Sequence, residues 1–176
     1  LYDRVRALRE IGLLIESPLT LQAVLTEVVE KTTDLMGAER SVLYLIEGDE
    51  LLSRIIDGTH VSEVRLRLGQ GITGWVAQTG RPVLVPDAYA DARFDRSEDE
   101  RSGFRTRCIL CHPLIGRNGH TIGVVEVINK VDGGVFGHQD LEFAGLLSTQ
   151  LAMTIENSRL MLDLVSKNEA IGLAKA

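Results

Sequence analysis

Apolar residues recur with a helical period at the start of the chain. Leu1, Val5, Leu8, Ile11 and Ile15 fall three to four positions apart and predict an amphipathic helix ending before Ser17-Pro18. Ser17 can cap a second helix with Pro18 in its first turn; its stripe is Leu21, Val24, Leu25, Val28, Val29, Thr32, Leu35 and Met36, stopped at Gly37. From Arg40 the pattern changes to short β-rich runs: SVLYLIE, a turn at Gly48-Asp49, ELLSRIID, and EVRLRL, in which Val64, Leu66 and Leu68 alternate with charged residues. That alternation predicts antiparallel sheet with one wet face.

The segment GQGITGWVAQTG predicts a glycine-bounded helix of about two turns, and RPVLVPD a short strand closed by proline. Ala88 to Gly103 is polar without a strand period and predicts a long surface loop with room for a helical turn. RCILCHPLI and TIGVVEVINK then have the length and turn chemistry of a hairpin through Asn118-Gly119. From His138 to about Lys167, Leu141, Ala144, Leu147, Leu151, Ile155, Leu160 and Leu164 keep helical spacing; Gly145 costs about 1 kcal/mol relative to alanine, too little to break the helix. This order predicts an α+β fold, an α/β sandwich in which an antiparallel sheet of about six strands carries helices on one side.

Length and composition sharpen this. With 176 residues, 44% of them hydrophobic and 25% charged, the chain suits one domain with a real core. Nineteen Lys and Arg against 25 Asp and Glu give a net charge of −6, and the basic residues form no runs. Nucleic acid and anionic membrane surfaces are therefore not expected as partners. No apolar stretch approaches the roughly 20 residues that span a bilayer, and LYDRVRALRE lacks a signal peptide's apolar stretch, so the expectation is a soluble, cytoplasmic protein. Beginning at Leu1 and ending in the polar LVSKNEAIGLAKA, the chain reads as a segment of a longer polypeptide.

Candidate chemistry is sparse. No GxSxG, HExxH, Walker loop, nucleotide-cyclase or kinase signature is present. His60, His112, His120 and His138 lie at turns or strand ends, none with a histidine four residues on, and read as turn residues rather than metal ligands. Cys108 and Cys111 make a single C-I-L-C pair, too few thiols for a four-ligand zinc site, and read as reduced thiols. Gly69-Gln70-Gly71-Ile72-Thr73-Gly74-Trp75 has two readings. Glycines before a helix start free backbone N–H groups to face an anion at the positive end of the dipole, or they simply let the chain enter a helix through a tight turn.

The run ADARFDRSEDERSGFRTRCILCHPLIGRNGHTIGVVEVINK resembles GAF domains of cyclic-nucleotide phosphodiesterases and cyanobacterial adenylyl cyclases, with Gly103-Phe104-Arg105-Thr106-Arg107, Ile109-Leu110-Cys111 and Pro113 at its centre. The likeness extends from about Ala38 to Asn157 and includes Ser41-Val42, Asp57-Gly58, Gln70-Gly71-Ile72, Thr79-Gly80 and Pro86-Asp87-Ala88-Tyr89-Ala90. It implies a lid of loop and short helices over a pocket on the sheet face opposite the helices. The family's signature from Asn-Lys through Phe to Asp-Glu reads Asn129, Lys130, Phe136 and Asp140, with Leu141 at its final acidic position and Glu142 next. By resemblance, Lys130 and Asp140 pair and steady the pocket. The base of a cyclic nucleotide would lie near Ser41, Ile56, Asp57 and Thr73, with Ile56 replacing a ring that such pockets often stack on the base. The phosphate would meet the helix start at Ile72 and backbone at Asp95, whose carboxylate should turn outward. Ser102, Thr106 and Glu126 would surround the ribose and the phosphate edge.

Each of these residues also has a structural reading: Ser41 and Glu126 as wet-face strand positions, Ser102 and Thr106 as loop caps, Asp57-Gly58 as a turn. The resemblance implies a non-catalytic sensory domain over residues 18–158, with cAMP or cGMP as its bound ligand and no required cofactor. It would be flanked by a dimerisation helix over 1–17 and a helical linker to an attached output domain over 159–176. Apolar stripes on the terminal helices imply a homodimer. Two alternatives compete: an interaction module with no nucleotide or with another small molecule, and a redox enzyme using Cys108 or Cys111. Bilin attachment at Cys111-His112 and methionine-sulfoxide reductase chemistry, both found in GAF branches, are disfavoured by the apolar strand around these cysteines.

Overall fold

The computed structural model describes residues 21–56 and 63–174. The expected helix over Leu1 to Ile15 and the Ser17-Pro18 cap lie outside them. Helix α1 (Leu21–Leu35) leads into the hairpin of β1 (Ala38–Glu47) and β2 (Glu50–Ile56), followed by β3 (Arg65–Arg67). Helix α2 (Gly71–Thr79) and β4 (Val83–Val85) come next, then a 3-10 turn at Ala88–Ala90 and α3 (Ser97–Ser102). The chain continues as β5 (Ile109–Ile115), β6 (Thr121–Lys130) and the long α4 (His138–Ala174). The strands form one six-stranded sheet in the order β3-β2-β1-β6-β5-β4, with every neighbouring pair antiparallel. This is the α+β sandwich expected from the patterning.

Alternation along the central strands sorts side chains onto two buried faces. Leu43 and Leu45 of β1 and Val125 and Val127 of β6 meet Val24, Leu25 and Val28 of α1 and Phe143, Leu147, Leu151 and Ile155 of α4. On the opposite face Val42 and Tyr44 of β1 and Val124 of β6 meet Ile72, Val76 and Ala77 of α2, with Ile109 and Cys111 of β5. Two glycines permit close approaches between layers. A Cβ at Gly74 would lie 2.6 Å from the Arg67 carbonyl oxygen, so only glycine lets α2 sit this near the end of β3. At Gly145 a Cβ would meet His112 Nε2 at 3.2 Å, which explains the helix-weakening glycine in α4: it makes room for a half-buried imidazole on β5.

Helix α4 changes character along its length. Its first half packs on the sheet, and from residue 159 onward every described side chain is exposed. No helix among the described residues is long and apolar enough to cross a membrane.

Candidate functional site

The sheet face opposite α1 and α4 floors a cavity of about 390 Å³, roofed by the segment running from β4 to β5 and closed at one end by α2. That volume falls within the roughly 300–1,000 Å³ typical of small-molecule sites. Its roof is the polar segment expected to be a surface loop with room for a helical turn, and it holds a 3-10 turn and a short helix. Ser97–Ser102 is helical, with Glu98, Asp99 and Glu100 in its first turn, where the positive end of the helix dipole favours them, and Gly103 ends it in the left-handed conformation at φ 73°.

Asp99 locks this roof. Its Oδ1 accepts from Thr106 Oγ1 at 2.7 Å, and its Oδ2 accepts from Thr106 N at 2.7 Å and from Tyr89 Oη at 2.9 Å. One buried carboxylate thus ties the lid helix to both the 3-10 turn and the segment that leads into β5. Tyr89 is held further by the Arg105 guanidinium stacked 3.6 Å from its ring centroid. The segment leading into β5 is anchored in turn by Asn129, fully buried and at φ 57°, a backbone region that asparagine tolerates better than most residues. Its Oδ1 accepts from Arg107 N and Cys108 N, and its Nδ2 donates to the Arg105 carbonyl and to Glu39 Oε2, satisfying the amide's donors and acceptors.

The floor carries a second buried polar cluster. Glu126 accepts from Tyr44 Oη at 3.3 Å, and the buried Thr73 and Cys111 side chains lie on the same side of the sheet. Burial pushes the Glu126 carboxyl above the usual glutamate range, against the pull of the neighbouring Thr73 and Tyr44 hydroxyls and of the Arg40 charge. Burial pushes the Cys111 thiol and the Tyr44 phenol up as well, so both stay protonated near neutral pH. Asp95 is the contrasting carboxylate. It accepts from Ser97 N and Oγ at the start of the lid helix, and those bonds hold it below the usual aspartate range.

Six of the positions named from sequence line the cavity: Ile72, Thr73, Asp95, Ser102, Thr106 and Glu126. Their side chains are engaged differently. Ser102 Oγ donates to the Glu98 carbonyl within the lid helix, and Thr106 is committed to Asp99. Ser41 does not line the cavity. It pairs with Val127 in the β1–β6 register and shares that residue's face, toward the helices, where its buried hydroxyl has no partner among the described residues; Val42, opposite Glu126, lies on the cavity wall in its place, flanked by Arg40 and Tyr44. A one-residue step in a strand exchanges faces, and the continuous apolar run SVLYLIE offers no alternation from which to read the side. Asp57 and the Ile56 side chain lie outside the described residues.

The pair expected to steady the site is formed. Lys130 Nζ lies 3.3 Å from Asp140 Oδ1, donates to the Met36 carbonyl at 3.0 Å, and sits 5.3 Å from the centroid of the Phe136 ring. Asp140 Oδ2 accepts from Gly137 N at 2.9 Å, closing the start of α4 in the manner of a capping box. Leu141, at the signature's departing position, packs half-buried against the helix-face core. Sequence reasoning missed Arg40, Tyr44, Asp99 and Phe104, all of which line the cavity. Arg40 and Tyr44 share a strand face with Val42, so alternation from a correctly placed Val42 finds them. Asp99 sits in the charged run SEDERS, which reads as solvated surface. Among the described residues, no three His, Cys, Asp or Glu side chains gather in a way that could hold a metal ion.

A protein-family model described as GAF domain matches residues 20–155. The dual 3',5'-cyclic-AMP and -GMP phosphodiesterase 11 of Drosophila melanogaster is 32% identical over 177 residues, covering 83% of this chain and 12% of that protein. The dual phosphodiesterase 11A of Takifugu rubripes is 34% identical over 140 residues, covering 72% of this chain and 16% of that protein. The chain therefore spans less than a fifth of the length of either relative. Among solved structures, the GAF domain of a phosphoenolpyruvate-protein phosphotransferase from Coxiella burnetii superposes with a TM-score of 0.81 at 20% identity, covering 91% of this chain and 96% of that one. A free methionine-R-sulfoxide reductase from Neisseria meningitidis does so with a TM-score of 0.73 at 23% identity, covering 88% and 89%. At these identities the structural likeness establishes the fold.

Proposed function

The chain belongs to the GAF domain family, and from that premise we propose that its cavity binds a cyclic nucleotide, cAMP or cGMP, as a regulatory ligand, whose presence is relayed through α4 to an attached output domain. The observation that carries this reading is the cavity itself, with the buried Glu126 carboxyl on its floor, the buried Thr73 hydroxyl at the α2 end and a hydrogen-bonded lid above. Thr73 and Glu126 offer both donors and acceptors to sugar hydroxyls or a base edge. Phe94 and Phe104 add aromatic surface on the wall. The similarity to phosphodiesterases named for cyclic AMP and cyclic GMP favours this ligand class.

Relay requires the lid's closed and open states to bias the output domain differently through α4. On the exposed side of α4, Leu146, Met153 and Leu160 recur every seventh residue, and Leu164 and Ile171 continue the heptad from an offset of four. That is the seam of a coiled coil, and its occupant in this reading is a second copy of the chain. The redox alternative finds less support: both cysteines are buried free thiols, and Cys111, kept protonated by its burial, is a poor nucleophile.

Titration of the purified protein with cAMP and with cGMP tests the ligand. Binding to the folded state raises the melting temperature, by about 2.7 kcal/mol of added stability at a hundred times Kd. An unchanged melting temperature with both nucleotides at millimolar concentration contradicts the reading.

A further inference from the structure

The cavity wall is rich in acid. Glu63, Asp95, Glu98, Asp99 and Glu126 all line it, and a ligand carrying negative charge must be compensated there. Three arginines share the wall, and two of them are spent. Arg65 pairs with Glu63 at 2.8 Å and Glu50 at 3.3 Å, and Arg101 with Glu98 at 2.6 Å. Arg40 is the third. Its guanidinium lies over the Phe104 ring, 4.1 Å from the centroid, and no ion pair is found for it among the described residues. Stacking uses the flat face of a guanidinium, whereas its N–H donors point outward in the plane and still need acceptors. The Arg40 Nε–H is buried and has none among the described residues. A buried donor without an acceptor is costly, so its retention on a cavity wall calls for an acceptor that arrives with the ligand.

We propose that Arg40 is the phosphate-binding cation of this cavity, held edge-on to the ligand by Phe104 and left unpaired until the ligand enters. This rests on the cavity being a ligand site, as proposed above, and adds a side-chain cation to it. Alternation on β1 puts Arg40 on the same face as Val42 and Tyr44, and Val42 is paired with Glu126. Its charge reaches Glu126, whose carboxyl it pulls downward. Glu126 and Arg40 therefore divide the work: the carboxyl meets the neutral hydroxyl or base edge of the ligand, and the guanidinium its anion.

The test compares wild type with Arg40→Gln and Arg40→Lys, titrated by calorimetry with cAMP, cGMP, adenosine and guanosine. Arg40→Gln should weaken the better cyclic nucleotide at least tenfold while leaving the matching nucleoside within about twofold; Arg40→Lys, which keeps the charge but loses the planar fork, should fall between. An equal loss for nucleotide and nucleoside, or no loss for either, overturns the proposal. If wild type binds neither cyclic nucleotide, the ligand reading above fails and a second readout decides this one: the Nε–H resonance of Arg40, assigned through Arg40→Lys, during titration with inorganic phosphate. A saturable shift keeps Arg40 as an anion site, and its absence at tens of millimolar phosphate removes it. The resonance arm uses wild-type protein for the titration, so it also decides the matter should Arg40→Gln fail to fold.

Discussion

The two faces of one sheet are built from the same strands to opposite ends. On the helix face, β1 and β6 present Leu43, Leu45, Val125 and Val127 to α1 and α4, and this layer is almost wholly apolar. On the cavity face the same strands present Val42, Tyr44, Val124 and Glu126, and polar groups are buried there with hydrogen bonds among themselves. Apolar burial is non-directional and favours folding wherever it occurs, whereas a buried polar group is tolerated only if its partners are met. The helix face thus supplies stability, and the cavity face gives some of it up for groups that can recognise a ligand.

The largest effect should come from damaging the helix face. Leu147→Ala removes a fully buried side chain from its centre and should cost about 2–5 kcal/mol, read as a lowered urea midpoint, while ligand affinity of the remaining folded protein stays unchanged. A loss of affinity without loss of stability would dissolve the division between faces. On the other side, Asp99→Ala strands Thr106 N and Tyr89 Oη and should cost about 1–3 kcal/mol. Its signature is local: amide exchange across residues 97–107 should rise well before the helix face opens. Uniform acceleration over the whole chain would show that Asp99 is merely part of the common core.

A smaller effect, opposite in sign, is expected at Glu126. Its folded-state pKa is raised, so the stability it contributes is fully present below the ordinary glutamate range and is lost as pH rises through the folded value. Glu126→Gln, which can keep the bond from Tyr44, should therefore stabilise the protein at neutral pH, with the gain vanishing in acid. A variant less stable than wild type at pH 7 would mean that the ionised carboxylate is well compensated where it sits. Smallest of all, Leu160→Asp with Leu164→Asp on the exposed part of α4 should leave stability within about 0.5 kcal/mol and yet lower the dimer fraction in sedimentation. Unchanged dimerisation would remove the coiled-coil seam from the account.

The helix face was the more legible of the two in sequence. The stripes of α1 and α4 carry helical period, and Asn118-Gly119 marks the β5–β6 hairpin, so the α+β sandwich follows from local pattern. Helix α4 runs on to Ala174, past the expected end near Lys167, because the polar tail contains no breaker strong enough to stop it. On the cavity face, resemblance supplied Ile72, Thr73, Asp95, Ser102, Thr106 and Glu126, but the geometry escaped it. Which side Ser41 faces depends on strand register, which the continuous apolar run hides. Asp99 is one acid among several in SEDERS, and only the fold distinguishes the one that turns inward. Arg40 at a strand's start looks like ordinary surface charge until Phe104, far along the chain, is seen beneath it.

Amide hydrogen exchange along the chain, with and without cAMP or cGMP, tests most directly the claim that the cavity face is the ligand-binding side. The account predicts added protection at Ile72 and Thr73, across the lid from Ser97 to Thr106, and around Glu126, with the sheet-facing amides of α4 changing far less. No added protection in these segments with either nucleotide at millimolar concentration would contradict it.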